Sequence, residues 1–531
     1  MSITRRESLR QSAIIAAALL APQASRHHTT RRPSLDPGSL APFVDPLPIP
    51  VFAQPDGYRP NPADSTARVP YYRLVMRQIV CQVHRDMKPT RCWGFGSSSP
   101  GPTLEAQSGA GMLVEWVNQL PTAHFLPIDH HLHGAEADKA AVRTVIHLHG
   151  GKVPPESDGY PEDWYVPGKS AVYYYPNKQD ATLLWYHDHT MGINRLNVFA
   201  GLFGLFIIRD PVEQSLNLPR GKYEIPLVLY DRMFDLDGQL NYPVSPHPEI
   251  PWIPEFFGDA VIVNGKLLPY LDLEPRKYRF RVLNAANGRF FHLSLSSGQD
   301  IHQIGTDQGL LPAPVILRQI SLAPGERADI VMDFAGQGGE QIIVNNDSFR
   351  PVMQLRVART RSPDTSSLPS VLRPMRRIAE TEAVNSRTLT LGEVDDLRKD
   401  PVVMLLNDTH WNAPVTERPV LDSVEIWNLL NLTDDAHPIH LHLVRFQILD
   451  RRRFDAFGYQ NRQILRYRGA AVAPEPGEAG WKDTVRADPG MITRIIIPFE
   501  GFVGRYVWHC HILEHEDNEM MRPYEVIRKQ G

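Results

Sequence analysis

Apolar positions in this chain fall into short runs rich in β-branched and aromatic residues, separated by Gly, Pro, Asn and Asp. "MLVEWVN" (112–118), "YRFRVLN" (278–284) and "SVEIWNLLN" (423–431) are three such runs, closed by Asn118, Asn284 and Asn431. No 3.6-residue periodicity persists over a long stretch, so the pattern predicts strands rather than helices. The three runs recur at a spacing of roughly 150 residues, which fits three similar β domains and is far too long for a solenoid. The expected fold is therefore all-β, built from packed sandwiches. Between the copies, 211–220 and the Ser-, Pro- and Arg-rich 359–385 have the composition of linkers.

Composition agrees with this picture. Forty-seven Pro and 36 Gly suit many short strands joined by turns, and 42% hydrophobic residues in 531 supply more than one core. A net charge of −4 argues against a polyanionic partner, so no nucleic-acid binding is expected. The amino terminus changes the picture more. "MSITRRESLRQSAIIAAALLAPQAS" places Arg5 and Arg6 before an apolar run, Ser12–Ala21, and then a small-residue stretch. That run is about ten residues, well short of the ~20 that span a bilayer. The order of the three regions is that of a twin-arginine export signal, assigned to 1–24. It implies passage across a bacterial inner membrane through the twin-arginine machinery, with no stable membrane insertion. Residues 25–47 are expected to form a flexible arm.

There are three cysteines. Cys81 and Cys92 flank the turn-like "RDMKPT" on what look like hairpin strands. An exported protein can join such a pair, but the sequence leaves the pairing open. Cys510 is then the odd thiol, with a histidine on each side, and needs its own explanation.

The 21 histidines supply it. Copy one holds "TVIHLHGG" (144–151) and "LLWYHDH" (183–189); copy three holds "HPIHLHL" (437–443) and "YVWHCHILEHEDNEMM" (506–521). The middle copy has no His-x-His pair and reads as a spacer. On a strand, residues i and i+2 face the same way with Cα atoms roughly 6–7 Å apart, so each pair serves two neighbouring ions better than one. His147/His149, His187/His189, His440/His442 and His509/His511 give eight imidazoles, enough for three ions where copies one and three meet. Cys510 lies between His509 and His511, so its sulfur points to the other face. His437, His515 and Met520 stand at offsets that bring them to that face. Together they form the two-histidine, one-cysteine set with a weak axial methionine that marks a blue electron-transfer copper. Asp188 occupies Cys510's place in copy one, so only copy three can hold that site. A closed tetrahedral zinc site does not match this donor set. The other HLHG, His131–Gly134, has no strand before it and reads as a surface loop without a metal.

These motifs resemble the multicopper oxidases. "PTRCWGFGSSSPGPTLEA", "HFLPIDHHLHG", "SDGYPE", "LEPRKYRFRVLNAANGR" and "GWKDTV" look like the branch containing bacterial spore-coat laccase, bilirubin oxidase and phenoxazinone synthase. The resemblance covers nearly the whole chain beyond the signal. It implies three cupredoxin-like Greek-key sandwiches at 48–212, 221–360 and 386–531, with 361–385 as a linker. It also implies four coppers and two reactants, a small aromatic reductant and O2. By that resemblance a type 1 copper takes His437, Cys510, His515 and Met520, and a type 2 copper takes His147 and His440. One type 3 copper takes His149, His187 and His511; the other takes His189, His442 and His509. Asp158 and Glu516 match acidic positions that handle protons in this branch. The expected activity is one-electron oxidation of phenols or aromatic amines, including bilirubin-type or o-aminophenol donors, coupled to reduction of O2 to water. A cuprous-ion oxidase usually carries a Met-rich segment, whereas the 13 Met here are scattered. A non-catalytic exported scaffold would not need the full ligand set. Donor-binding loops are expected around 250–260, 345–352 and 455–480.

Overall fold

Asn118, Asn284 and Asn431 end the strands Met112–Asn118, Lys277–Asn284 and Val424–Asn431 in one shared way. Each Oδ1 accepts from the backbone N–H two residues on, at Leu120, Ala286 and Thr433 (3.0, 3.0 and 2.9 Å). Each Nδ2 donates to a distant carbonyl, of Tyr165, Leu322 and Ala487 respectively. The side chain thus turns the chain out of the sheet while satisfying buried backbone groups that would otherwise be costly. All three strands also have equivalent neighbours. Each runs parallel to an earlier strand of its own unit (Asp64–Cys81, Glu224–Arg232, Asn385–Asp395). Each is antiparallel to a later one (Ser170–Tyr175, Arg327–Asp333, Met491–Pro498).

The computed structural model describes residues 33–245, 252–347, 350–360, 363–395 and 401–529. Among them the strands form six sheets, two for each copy of the plan. Each pair of sheets encloses its own apolar cluster, so the molecule is three cupredoxin-like Greek-key sandwiches, as the sequence predicts. A further cluster, including Trp185, Phe203, Val228 and Ile262, glues the first sandwich to the second. No helix among the described residues is long and apolar enough to cross a membrane.

The expected export signal, 1–24, lies outside the described residues. Residues 33–47, expected as part of a flexible arm, are instead pinned to the middle sandwich. Leu35 N–H donates to Phe234 O, Phe43 N–H to Leu268 O and Leu47 N–H to Tyr270 O, and Leu47 is buried. These backbone hydrogen bonds were invisible in a composition dominated by Pro and Arg. Cys81 and Cys92 sit diagonally on paired strands, Cys81 opposite Thr90 and Ile79 opposite Cys92, both as free thiols.

Candidate metal centre

Two strand pairs carry the histidines in matching register. Ile146–His149 runs antiparallel to Thr182–Asp188, with His147 opposite His187. His437–Leu441 runs antiparallel to Gly504–Cys510, with His440 opposite His509. The two pairs meet face to face between the first and third sandwiches. His149 stacks on His440 and His147 on His442, each with ring centroids 3.6 Å apart and planes within 19°. All eight rings are fully buried.

Their nitrogens gather into sets of three: His147, His149 and His440; His149, His187 and His511; His189, His442 and His509. Within each set the ligand atoms lie within 4.8 Å of one another. Nε2 of His509 is 3.3 Å from Nε2 of His189 and 3.2 Å from Nε2 of His442. Three nitrogens each about 2.0 Å from one ion in a planar or tetrahedral arrangement stand roughly 3.3–3.5 Å apart, so the observed spacing suits a shared cation.

Hydrogen bonding sets which nitrogen faces inward. His147 Nδ1 donates to Asp158 O, His187 Nδ1 to Asp188 O, His440 Nδ1 to Asp483 O and His509 Nδ1 to Cys510 O (2.7–3.1 Å). A carbonyl can only accept, so each of these rings carries its proton on Nδ1 and offers an Nε2 lone pair. Burial, reinforced by the neighbouring histidines, pushes His147 and His440 well below the usual imidazole value, and burial pushes His187 to about 3, which keeps these rings neutral. Nε2 of His147, His187 and His440, Nδ1 of His149 and His189, and both nitrogens of His511 are buried with no hydrogen-bond partner. Stranding so many buried ring nitrogens together is unfavourable unless a cation satisfies their lone pairs. The donor set fits copper.

On the other face of the same strand, Cys510 Sγ lies 3.6 Å from His437 Nδ1 and 3.7 Å from His515 Nδ1, and those nitrogens are 3.2 Å apart. Thr433 Oγ1 bonds His437 Nε2 at 2.7 Å and fixes that ring. Ile512 N–H donates to Cys510 Sγ. Met520 is buried in the same apolar cluster, and its carbonyl accepts from Cys510 N–H. Burial pushes the Cys510 thiol well up, so a thiolate here requires a bound cation.

Both expected carboxylates are buried against the histidines. Asp158 Oδ2 is hydrogen-bonded to His442 Nδ1 at 2.7 Å, while its Oδ1 has no partner and lies 3.6 Å from His147 Nδ1. Burial raises the Asp158 carboxyl well above the ordinary carboxylate range. Glu516 reaches His509 Nδ1 at 3.2 Å and His189 Nε2 at 3.5 Å, and accepts from Asn194 Nδ2. The first HLHG joins none of the sets. His131 and His133 lie in a turn segment with partly exposed side chains beside Asp129 and Glu136.

One expectation needs correction. The middle sandwich is more than a spacer. Gly325, held at φ +83°, presses its backbone against the rings of His511 and His149, and Arg327 clasps Asp483 beside His149. Reading for ligands alone missed these residues, because neither Gly nor Arg binds a metal. The only available signal was "GWKDTV", whose Asp483 bonds His149 Nε2 through Oδ1 and His440 Nδ1 through its carbonyl. Of the segments expected to bind the donor, 455–480 is described throughout. It packs on Leu430, Phe454 and Ile492 and, near Gly477, on Gln303, outside the cluster around Cys510. By contrast Trp252 does join that cluster, donating its indole N–H to Glu514 O.

The multicopper oxidase family models match residues 138–213 and 385–530, the two regions that carry the histidine pairs. The chain is 46% identical over 515 residues to a laccase of Bacillus subtilis (strain 168), covering 92% of this chain and 99% of that one. It is 44% identical to a laccase of Bacillus stratosphericus, covering 92% and 100%. Its fold is similar to the crystal structure of a laccase from Pediococcus acidilactici, with a TM-score of 0.76, 28% identity, and coverage of 95% and 97%. Register, buried donors and relatives agree: the chain belongs to the multicopper oxidase family, as a laccase-like oxidoreductase.

Proposed function

We propose that this protein takes electrons one at a time from small electron-rich aromatic donors and delivers four of them to O2, using four coppers. The carrying observation is the placement of Cys510. Its sulfur faces His437 and His515, while its chain neighbours His509 and His511 face the histidine cluster. One residue on either side thus joins an entry site to a reduction site. A store or scaffold has no use for such a bridge.

His437, Cys510, His515 and Met520 would hold the blue copper. His147 and His440 would hold a type 2 copper, with His149, His187 and His511 for one type 3 copper and His189, His442 and His509 for the other. Copper bound at these two places supplies reversible one-electron redox chemistry and a site for O2. The chain supplies the rest. Converting O2 with four electrons to two waters consumes four protons, and both candidate carriers touch the ligand rings directly. Asp158 holds a proton at the unpartnered Oδ1, and Glu516 stands between His189 and His509. Complete burial of the eight rings keeps bulk water away from them. The amino-terminal signal supports export through the twin-arginine route, with the folded protein acting beyond the inner membrane.

One observation favours a second reading, a metal-cation donor such as a cuprous ion. Glu255 and Glu393 are acidic neighbours with Asp435, and Glu393 Oε1 lies 3.6 Å from His437 Nε2. Once ionised, such a cluster attracts cations, whether metal ions or protonated aromatic amines. The scattered Met residues keep the aromatic reading first.

The test is copper per chain, the visible spectrum, and O2 uptake with a simple diphenol. Four coppers, an intense blue band absent in Cys510→Ser, and O2 consumption are expected. One copper or none, without O2 uptake, refutes the oxidase. Rapid O2 uptake with a cuprous complex and none with diphenols or aromatic amines would establish the second reading instead.

A further inference from the structure

Arg327 belongs to the sandwich that contributes no histidine, yet it lies at the junction of all three. It is 1% exposed, and all five of its side-chain N–H donors are used. Nε donates to Leu183 O, on the first-sandwich strand that carries His187 (3.0 Å). One Nη1 hydrogen goes to Gly325 O and one Nη2 hydrogen to Asp307 O, both within the middle sandwich. The remaining two form a fork on Asp483 of the third sandwich, Nη1 to Oδ1 at 2.7 Å and Nη2 to Oδ2 at 2.6 Å. A planar guanidinium with this fixed donor fan is suited to the task, and a point-charge ammonium is not.

The consequence falls on His149. Asp483 Oδ1, fixed by Arg327 and by Thr484 Oγ1, accepts from His149 Nε2 at 3.1 Å. A carboxylate paired to a guanidinium on both oxygens is an acceptor, so His149 carries its proton on Nε2 and presents Nδ1 to the cluster. His147, His187, His440 and His509 do the reverse, donating from Nδ1 and presenting Nε2. Gln308, also from the middle sandwich, donates to Asp483 Oδ2 at 2.6 Å. Gly150, at φ +82°, gives the clasp its room: a Cβ there would stand 2.5 Å from Asp483 Oδ2 and 2.7 Å from Arg327 Nη2. Gly325 closes the same wall against His149 and His511.

We propose that Arg327 is a positioning residue of the metal centre: by clasping Asp483 it holds His149 in the tautomer and orientation that offer Nδ1, so the middle sandwich completes a site to which it gives no ligand. This rests on the copper reading above. Ring tautomer and orientation control how strongly an imidazole binds metal, and losing such a partner typically weakens metal retention about 10–100-fold.

The experiment compares copper-loaded wild type with Arg327→Met, Arg327→Lys and a control, Arg281→Met. Arg281 is an equally buried, ion-paired arginine of the same sandwich whose partners are Glu213, Glu224 and Asp329. Three quantities are followed: copper left after competition with a graded chelator, the non-blue cupric signal by electron paramagnetic resonance, and blue absorbance per chain. Arg327→Met is expected to release histidine-cluster copper at about 10–100-fold lower chelator strength. Because the Asp483 carbonyl also holds His440, a type 2 ligand on the copper reading, its non-blue hyperfine splitting should change while the blue band stays. Arg327→Lys should fall between it and wild type. Arg281→Met should lose thermal stability with an unaltered non-blue signal. Wild-type retention and an unchanged signal in Arg327→Met would overturn the proposal, and so would an equal change in Arg281→Met. If Arg327→Met does not accumulate as folded protein, Gln308→Leu removes one partner of Asp483. The same change at smaller amplitude supports the clasp, and an unaltered signal overturns it. Wild type that binds no copper overturns the oxidase reading itself, whereas copper-loaded wild type with indifferent variants overturns only the clasp.

Discussion

Replacing Asp158 by Asn separates two roles that one carboxyl combines. Asp158 has no exposed surface, holds His442 Nδ1 through Oδ2 at 2.7 Å and leaves Oδ1 unpartnered. In Asp158→Asn the amide oxygen can replace Oδ2 as the partner of His442, so that ring keeps its orientation. The amide NH2 then takes the place of Oδ1, facing a His147 Nδ1 already committed to Asp158 O. An unsatisfied buried donor of that kind costs about 1–3 kcal/mol of stability. What the amide cannot do is give up a proton, and removing a positioned proton donor typically slows its step about 10²–10⁴-fold. Stopped-flow absorbance distinguishes the roles. Anaerobic bleaching of the blue band by a hydroquinone reports electron entry at Cys510 and should stay within about twofold of wild type. Recovery of the band on mixing with O2 reports the reduction of O2 and should slow about 10²–10⁴-fold. Asp158→Ala also deprives His442 Nδ1 of its partner, so it alone should retain copper about 10–100-fold less tightly. Recovery in Asp158→Asn within threefold of wild type would refute the assignment, as would equal copper loss in Asn and Ala variants.

Other outcomes follow from the same geometry. Gly325→Ala puts a Cβ 2.9 Å from His511 Cδ2 at φ +83°, so it should cost at least about 1–2 kcal/mol in urea unfolding and lower copper content. Asp517 accepts from Asn194 N–H, Arg195 N–H and Arg195 Nη1 across the first and third sandwiches, with both charges buried. Asp517→Ala strands the Arg195 charge and should destabilise copper-free protein by about 3–5 kcal/mol in the same assay; a loss under 1 kcal/mol would show the junction is held elsewhere. Burial and the neighbouring Asp435 push Glu255 and Glu393 up to about 8. They are therefore neutral at pH 7 and become anionic as pH rises through that value. KM for a permanently cationic aromatic amine should fall between pH 7 and 9, KM for a neutral phenol should not, and Glu393→Gln should reduce the difference.

Local signals in the sequence were strong wherever one residue type does one thing. Asn118, Asn284 and Asn431 announced three copies because an Asx turn after a strand admits few substitutes. The i, i+2 spacing of the histidine pairs predicted shared faces because strand geometry leaves no alternative. The face of Cys510 followed from the same parity. What stayed hidden depends on partners distant in sequence. Asp483 is an ordinary acid until Arg327, Gln308 and His149 close around it, and each comes from a different part of the chain. Leu35 and Leu47 read as part of a loose arm because the backbone partners that hold them belong to the middle sandwich. Likewise the packing of Leu465 and Tyr459, within 455–480, on Phe454 could not be read from the sequence.

On the function proposed above, the difference between the first and third sandwiches would leave a single electron entry. Asp188 stands where Cys510 does, between two cluster histidines, and its carboxylate is fully engaged. Oδ1 accepts from Thr190 N–H and Asn197 Nδ2, and Oδ2 accepts from Val145 N–H and Thr190 Oγ1. Burial raises Asp188 to about 7, so it takes up a proton readily and needs no cation. The places corresponding to His437 and His515 are Thr144 and Ile193, both buried and neither a metal donor of that class. The first sandwich has thus filled with hydrogen bonds the volume in which the third keeps the Cys510 sulfur, the ring nitrogens of His437 and His515 and the buried Met520. A second entry site would deliver electrons to His187 and His189 by a separate route, and nothing in the fold would keep the two in step. With one entry at Cys510, every electron would reach the cluster through His509 or His511. Those two residues belong to different histidine sets, one with His189 and His442, the other with His149 and His187. A single donor site can therefore feed both halves of the cluster, which is what four-electron reduction of one O2 from one-electron donors requires.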